Sequence, residues 1–240
     1  MTVAKPTISA PVAILAGGLA TRLRPITEKI PKALVTVAGK PFLAHQLAYL
    51  RDQGISRVVL CVGYLGEMIR EEFGDGNSVG IQIEYSFDGP VLLGTSGAIK
   101  QAISLLGDSF FVMYGDSYLP IDFKSVWARF EESGQPGLMT VFANHGRWEI
   151  SNVWFEKGEI KKYSKQDLIP QMQYVDYGLS VFRADAFHEI EAGKPAELAD
   201  LMSRLSERGQ MAAYESPERF YEIGSPSGLN ELDAYLSRSL

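Results

Sequence analysis

Along residues 1–143, short uninterrupted apolar runs alternate with stretches whose apolar residues recur every three or four positions. The first kind reads as buried strands and the second as helices with one packed face. Strands are expected at residues 12–16, 57–62, 81–85, 110–114 and 138–143. Helices are expected from Phe42, behind the first-turn proline Pro41, to a stop at Gly54, and over residues 65–73, 95–106 and 122–132. Such an alternation predicts an α/β fold of parallel strands joined by helices. Beyond residue 144 the pattern becomes mixed, with strands expected at 152–155, 158–163 and 174–182 and helices at 196–208 and 226–240. No Pro/Ser-rich linker or internal repeat separates the two parts, so a single domain over residues 1–240 is expected, its second part adding a lid or wall on the same sheet. Residues 1–10 read as a loose leader. Ligands of open α/β sheets sit beyond the carboxyl ends of the strands, which is where polar chemistry should be sought.

Composition narrows the class of protein. The chain has 240 residues, 46% of them hydrophobic and 22% charged, with a formal net charge of −6. That length supports an ample core, and the negative balance argues against a protein that coats nucleic acid or an anionic membrane. An anion site would have to be locally basic. No stretch reaches the ~18 uncharged apolar residues of a membrane span, so no membrane association is expected. A single cysteine, Cys61, lies inside the apolar run Val58-Val59-Leu60-Cys61-Val62. It excludes an intrachain disulfide and fits a cytoplasmic protein with a buried, inert thiol. The three histidines, His45, His145 and His188, have no second His or Cys at ligand spacing and receive no role.

Four segments carry candidate chemistry. The strand Val12 to Ala16 ends in Gly17-Gly18, followed by Thr21-Arg22, then Pro31-Lys32. Glycines at a sheet edge let backbone N–H groups approach an anion, and Arg22 and Lys32 add charge. The chain shows neither G-x-G-x-x-G nor G-x-x-x-x-G-K-[ST] here, so the two common phosphate loops are excluded, and a plain turn with solvated arginines remains open. The run from Phe110 to Tyr114 stops at Gly115-Asp116, which places a carboxylate where it could hold Mg²⁺ against phosphate oxygens or simply close a turn. Glu222 ends a second apolar stretch ahead of Gly224-Ser225-Pro226 and is the candidate second acid, or a surface acid ahead of a helix cap, which spacing alone does not decide. Finally, Gly94-Thr95-Ser96-Gly97 opens a helix, where free N–H groups could meet an anion or a base edge, or where Thr95 or Ser96 could merely cap.

Taken together, G-G-x-x-T-R-L-x-P-x-T with the following Pro31-Lys32 resembles the signature of the sugar-1-phosphate nucleotidylyltransferases. The resemblance continues in order through Leu93 to Ala98, Gly115-Asp116, Tyr163-Ser164-Lys165, Val175 to Gly178 and Glu222 to Pro226, covering nearly the whole chain. It implies a Rossmann-like three-layer α/β/α fold with a mixed, mainly parallel central sheet of the nucleotide-diphospho-sugar transferase type. Residues 11–143 would form the nucleotide-binding part and residues 144–240 the sugar-binding and lid part. By the same resemblance Ala16, Gly17, Gly18, Thr21, Arg22, Lys32, Gly94 and Thr95 bind the nucleotide, and Arg22, Lys32 and Asp116 are catalytic. Gly115, Lys165, Asp176 and Gly178 would hold the sugar phosphate, while Asp116 and Glu222 would bind Mg²⁺. The implied partners are a nucleoside triphosphate and a sugar 1-phosphate, with no nucleic acid or membrane, and self-association into a homo-oligomer left open. The implied reaction is in-line attack by the sugar phosphate on the α-phosphorus, with release of pyrophosphate. Alternatives are a cytidylyltransferase acting on a non-sugar phosphate or phosphonate, and a non-catalytic nucleotide-sugar-binding regulatory protein. Four positions depart from the family pattern. Ala20 stands for the usual glycine and would be strained at positive φ, and Ser164 stands for a common glutamate. Tyr177 stands for a small residue and would narrow the sugar pocket, and Glu222 stands for the usual aspartate and reaches one methylene farther.

Overall fold

Period-two burial in the strands divides the apolar side chains between two cores, one on each face of a single sheet. In the computed structural model, which describes residues 8–19, 21–23 and 25–238, the first strand β1 (Val12–Leu15) turns Val12 and Ile14 to one side and Ala13 to the other. The strand β2 (Arg57–Val62) sends Val58, Leu60 and Val62 to the first core and Val59 and Cys61 to the second. The helices α1 (Phe42–Asp52) and α2 (Gly66–Phe73) cover the first face, and β3 (Gln82–Phe87) follows them in the chain. Next come α3 (Gly94–Leu106), on the second face, and β4 (Ser109–Tyr114). Phe110 and Phe111 are both wholly buried, on opposite faces, and each contributes about 1.5–3 kcal/mol of hydrophobic stabilisation.

The second half adds α4 (Phe123–Ser133), β5 (Gly137–Ala143), the hairpin β6 (Val153–Glu156) and β7 (Glu159–Tyr163), and the long β8 (Tyr174–Arg183). It closes with α5 (Leu198–Glu207), β9 (Met211–Glu215) and α6 (Pro226–Ser237). The nine strands form one sheet in the order β3-β2-β1-β4-β8-β5-β9, with the β6–β7 hairpin joined at the start of β8. The pairs β1–β2, β1–β4, β2–β3 and β5–β9 are parallel, whereas β8 runs antiparallel to both β4 and β5. Helices α1, α2 and α4 on one face and α3 and α5 on the other make three layers. Local signals set the ends: Asp122 accepts from the Lys124 N–H at the start of α4, and Ser225, ahead of Pro226, accepts from Gly228 N–H at 3.1 Å.

The expected elements are present with shifts of a few residues at their ends. The strand β9 is not among them, because five residues reading Met-Ala-Ala-Tyr-Glu carry no clean alternation. Ile8 is buried and its N–H donates to Gly54 O at 3.1 Å, so residues 8–10 are tied to the sheet rather than loose; residues 1–7 lie outside the described residues. Among the described residues no helix is long and apolar enough to cross a membrane.

Candidate active site

The chain moves from β1 to one side of the sheet and then returns to the other with β4, so a crevice opens between the carboxyl ends of these two strands. A cavity of about 430 Å³ occupies it, lined by Gly17, Gly18, Arg22, Lys32, Asp116 and Glu197 among others. Ala16, Gly94, Thr95, Tyr114 and Gly115 also face it. Gly17 backs onto the next loop, where a Cβ would lie 3.1 Å from the Gly63 nitrogen, while Gly18 has open space before it.

The charges converge. Lys32 Nζ donates to Asp116 Oδ2 at 2.7 Å in a half-buried ion pair. A Cβ added at Gly224 would lie 3.5 Å from Arg22 Nη2 and 3.7 Å from Lys32 Nζ, so both cations flank that glycine. Asp116 and Glu222 are brought together by a two-strand pair, Ser117–Tyr118 with Tyr221–Glu222, and the Ile223 N–H donates to Asp116 O at 3.0 Å. Gln46 on α1 clamps the same turn by donating to Tyr114 O at 3.2 Å and Ser117 O at 2.8 Å. Burial raises the Glu222 carboxyl from its ordinary 4.5 to about 7, with Asp116 and then Glu149 pushing the same way and Lys32 and Arg22 opposing. Glu222 lines a smaller cavity of about 140 Å³ with Arg22, Trp148 and Glu149. Two hard carboxylates side by side, short of a full ligand set, suit a divalent cation completed by phosphate oxygens. Among the described residues no group of three or more His, Cys, Asp or Glu side chains could hold a metal without such help.

Lys165, Asp176 and Gly178 form a second group. They gather about Tyr114, which lines the larger cavity: Lys165 Nζ sits 5.5 Å from the centre of its ring and a Cβ at Gly178 would lie 3.6 Å from its edge. Burial first, then Asp176, Asp116, Glu197 and Glu222, hold the Tyr114 phenol well above its ordinary value, so it stays a neutral donor between the two groups.

Three expectations change. Tyr177 does not narrow a pocket: strand alternation sends it to the face opposite Asp176, where it is buried with its ring centre 5.7 Å from that of Phe220 and 6.4 Å from that of Phe142. The start of α3 does not offer all its N–H groups, since Ser96 and Gly97 both donate to Ala196 O, at 3.0 and 3.2 Å. The Thr95 hydroxyl does not cap α3 either; it accepts from Leu198 N–H at 2.6 Å, at the head of α5, and donates to Glu197 at 2.8 Å. Thr21 lies in a short 3-10 turn, Thr21–Leu23, and its side chain, like Ala20, falls outside the description.

Sequence reasoning missed Tyr114, Gln46, Glu197 and Asp88. Asp88 lines the cavity, accepts from Leu93 N–H at 3.1 Å, and has its carboxyl pushed up by burial against the pull of that N–H. It ends β3 as Asp116 ends β4, so the same strand-then-carboxylate signal could have found it. Cys61 also reaches the cavity wall, with burial pushing its thiol to about 12 and leaving it inert.

The chain is similar to proteins already known. The family model described as Nucleotidyl transferase matches residues 12–238. The chain is 29% identical over 227 residues to N-acetylmuramate alpha-1-phosphate uridylyltransferase of Neisseria meningitidis serogroup B, covering 92% of this chain and 96% of the relative. It is 28% identical over 213 residues to D-glycero-alpha-D-manno-heptose 1-phosphate guanylyltransferase of Campylobacter jejuni, covering 89% and 94%. It spans 61% of the length of the mannose-1-phosphate guanylyltransferase catalytic subunit beta of Xenopus tropicalis, at 28% identity over 89% of this chain. The crystal structure of HddC from Yersinia pseudotuberculosis superposes with a TM-score of 0.78 at 26% identity, covering 95% of this chain and 99% of that one.

Proposed function

Because the chain belongs to the nucleotidyl transferase family, we propose that it joins a nucleoside triphosphate to a sugar 1-phosphate, giving a nucleoside-diphosphate sugar and pyrophosphate. The observation that carries this reading is the meeting of Lys32, Arg22, Asp116 and Glu222 at the edge of a cavity headed by Gly17 and Gly18. A regulatory protein that only binds nucleotide sugars would have no use for two apposed carboxylates beside two cations.

The acceptor phosphate needs no protein base, since its second pKa of about 6 leaves it largely dianionic near neutral pH. One of its oxygens forms a bond to the α-phosphorus as the bond to the bridging oxygen breaks, and the electron pair leaves on pyrophosphate. What the protein supplies is positioning and charge. The open side of Gly18 admits the triphosphate, and Arg22 and Lys32 neutralise the departing pyrophosphate. Lys165, beside the Tyr114 ring, serves the acceptor phosphate. Lys32 donates to Asp116, and a phosphate that took up Lys32 would free the Asp116 carboxylate. Asp116 and Glu222 would hold a divalent cation, of which Mg²⁺ is our reading, and such an ion would supply positive charge to offset the negative charge of the phosphates. Release of pyrophosphate, screened across the common triphosphates and a panel of sugar 1-phosphates, tests the proposal. A set in which no pair releases pyrophosphate above background in the presence of Mg²⁺ would reject it.

A further inference from the structure

The rim opposite the nucleotide crevice holds a second cavity, of about 470 Å³. It opens where β8 ends, with Arg183 paired to Ser109 at the start of β4, and it is bounded by the short turn Ala184–Phe187 and the last turns of α5. Leu201, Leu205 and Ala186, all buried, give it an apolar floor. Three arginines form its wall. Arg183 comes from the strand, Arg204 from the last turn of α5, and Arg208 follows four residues on, its N–H donating to Arg204 O at 3.1 Å so that it continues the same helical face. The carboxyl end of a helix favours cations, which accounts for Arg204 and Arg208. It does not account for Arg183, which a different element delivers.

The acids of the wall, Asp185 and Glu189, leave these charges incompletely answered. Glu189 is divided among three neighbours: Oε1 lies 3.2 Å from Arg208 Nη1 and 3.8 Å from His188 Nε2, and Oε2 lies 3.8 Å from Arg204 Nε. Arg183 donates through Nε to Gln135 O at a long 3.4 Å, and its guanidinium carbon stands 5.7 Å from the centre of the Phe130 ring. Among the described residues Asp185 makes no ion pair, and no hydrogen-bond acceptor meets the terminal nitrogens of Arg183 or Arg204. Two guanidinium forks thus stand over an apolar floor with donors to spare, in a chain whose net charge is −6.

Guanidinium forks take phosphate and carboxylate alike, but the two anions differ in what they offer. A carboxylate presents two oxygens, enough for one fork. A phosphate monoester carries close to two negative charges near neutral pH and three acceptor oxygens, enough for Arg183 and Arg204 together while Glu189 stays on Arg208. The cavity is also larger than bare phosphate needs and falls in the ~300–1,000 Å³ range of small-molecule sites, so the apolar floor has room for a carbon body. We propose that this basin binds a small organic phosphate monoester, at a site separate from the one where transfer takes place. The proposal stands or falls independently of the nucleotidyl-transfer reading.

Phenyl phosphate is the probe, titrated into the protein by isothermal calorimetry at pH 8, with benzoate as the comparison of like ring and single charge. The unaltered protein should bind phenyl phosphate with a Kd below ~1 mM and benzoate at least ~10-fold more weakly. Arg183→Ala and Arg204→Ala should each weaken phenyl phosphate at least ~10-fold, the loss expected for a charge-assisted hydrogen bond, with the melting temperature unmoved. Should either variant fold poorly, Arg183→Gln and Arg204→Gln carry the same expectation. Glu189→Gln removes the carboxylate that competes for the same cations and should tighten binding by at least ~3-fold, a gain that a wall built only for its own ion pairs would not show. Lys32→Ala withdraws a cation from the transfer site and should leave the affinity within ~2-fold, because the probe sits elsewhere. Binding absent below ~1 mM, equal affinity for benzoate, an affinity indifferent to the arginine variants or to Glu189→Gln, or one lost in Lys32→Ala would each overturn the proposal.

Discussion

Replacing Glu222 by glutamine should make the metal-free protein more stable at pH 8 and leave it nearly unchanged near pH 4.5. Burial and the adjacent Asp116 raise the folded-state carboxyl from 4.5 to about 7, whereas in the unfolded chain it returns to its ordinary value. Between those two values the folded protein binds a proton that the unfolded chain has released. Stability is therefore greatest below 4.5, falls as pH rises toward 7, and levels off above it. The full shift corresponds to about 3 kcal/mol. Glu222 keeps some contact with solvent, which screens part of this, so about 2 kcal/mol is the expected gain for Glu222→Gln at pH 8. In a chain of this size that is roughly 4–8 °C in Tm. Urea unfolding of both proteins in EDTA at pH 5 and pH 8 measures it as a difference of differences, which removes every other titrating group common to the two. Equal stabilities at pH 8 would refute the picture of two carboxylates forced together. Adding Mg²⁺ at pH 8 should stabilise the unaltered protein more than Glu222→Gln.

Other substitutions probe other links. Asp116→Asn should lower steady-state pyrophosphate release by at least ~100-fold, the loss typical of a charge that organises a transition state, and near-normal turnover would remove Asp116 from the metal. Gly115→Ala should cost about 1–3 kcal/mol in denaturant unfolding, because its Cβ would lie 2.6 Å from the Leu15 carbonyl oxygen and force β1 and β4 apart at the cavity; an unchanged midpoint would contradict that. Tyr177→Phe should leave KM for the acceptor within ~2-fold and stability within ~1 kcal/mol, since the hydroxyl faces away from Asp176 and its contact to Pro120 O is a long 3.4 Å, with Ser216 as its other partner. A tenfold rise in that KM would return Tyr177 to the acceptor pocket.

Much of the architecture was legible because burial imposes a period. The runs around Val12, Val58 and Phe110 are apolar on both faces, as strands covered by helices on either side must be, and each could be placed within a residue or two. Met211–Glu215 escaped because its first three residues are buried in succession, so that Met-Ala-Ala-Tyr-Glu shows no alternation, and it lacks the β-branched residues that mark a strand. At the site, Arg22, Lys32, Asp116 and Glu222 lie 10 to 106 positions from their nearest partner in the chain, and it was the family resemblance that grouped them, since spacing alone left Glu222 open as a surface acid. Contacts that depend on tertiary approach were not legible. Nothing in Thr95 announces that its hydroxyl serves the head of α5, and nothing in Gln46 announces that it holds the turn before Asp116. Tyr177 was misassigned because proximity in sequence to Asp176 and Gly178 was taken for proximity in space, whereas neighbours along a strand point apart.

The reversed direction of β8 has a consequence for how the two binding halves come to exist. Its leading half meets the trailing end of β4, with Leu179 opposite Met113, so the residues proposed to hold the acceptor arrive at the rim from one direction and those proposed to hold the nucleotide from the other. Neither grip can be finished by its own stretch of chain. A growing polypeptide that has completed β4 possesses Arg22, Lys32 and Asp116 but neither Asp176 nor Glu222, which arrive only with β8, set between β4 and β5, and with the strand pair that follows it.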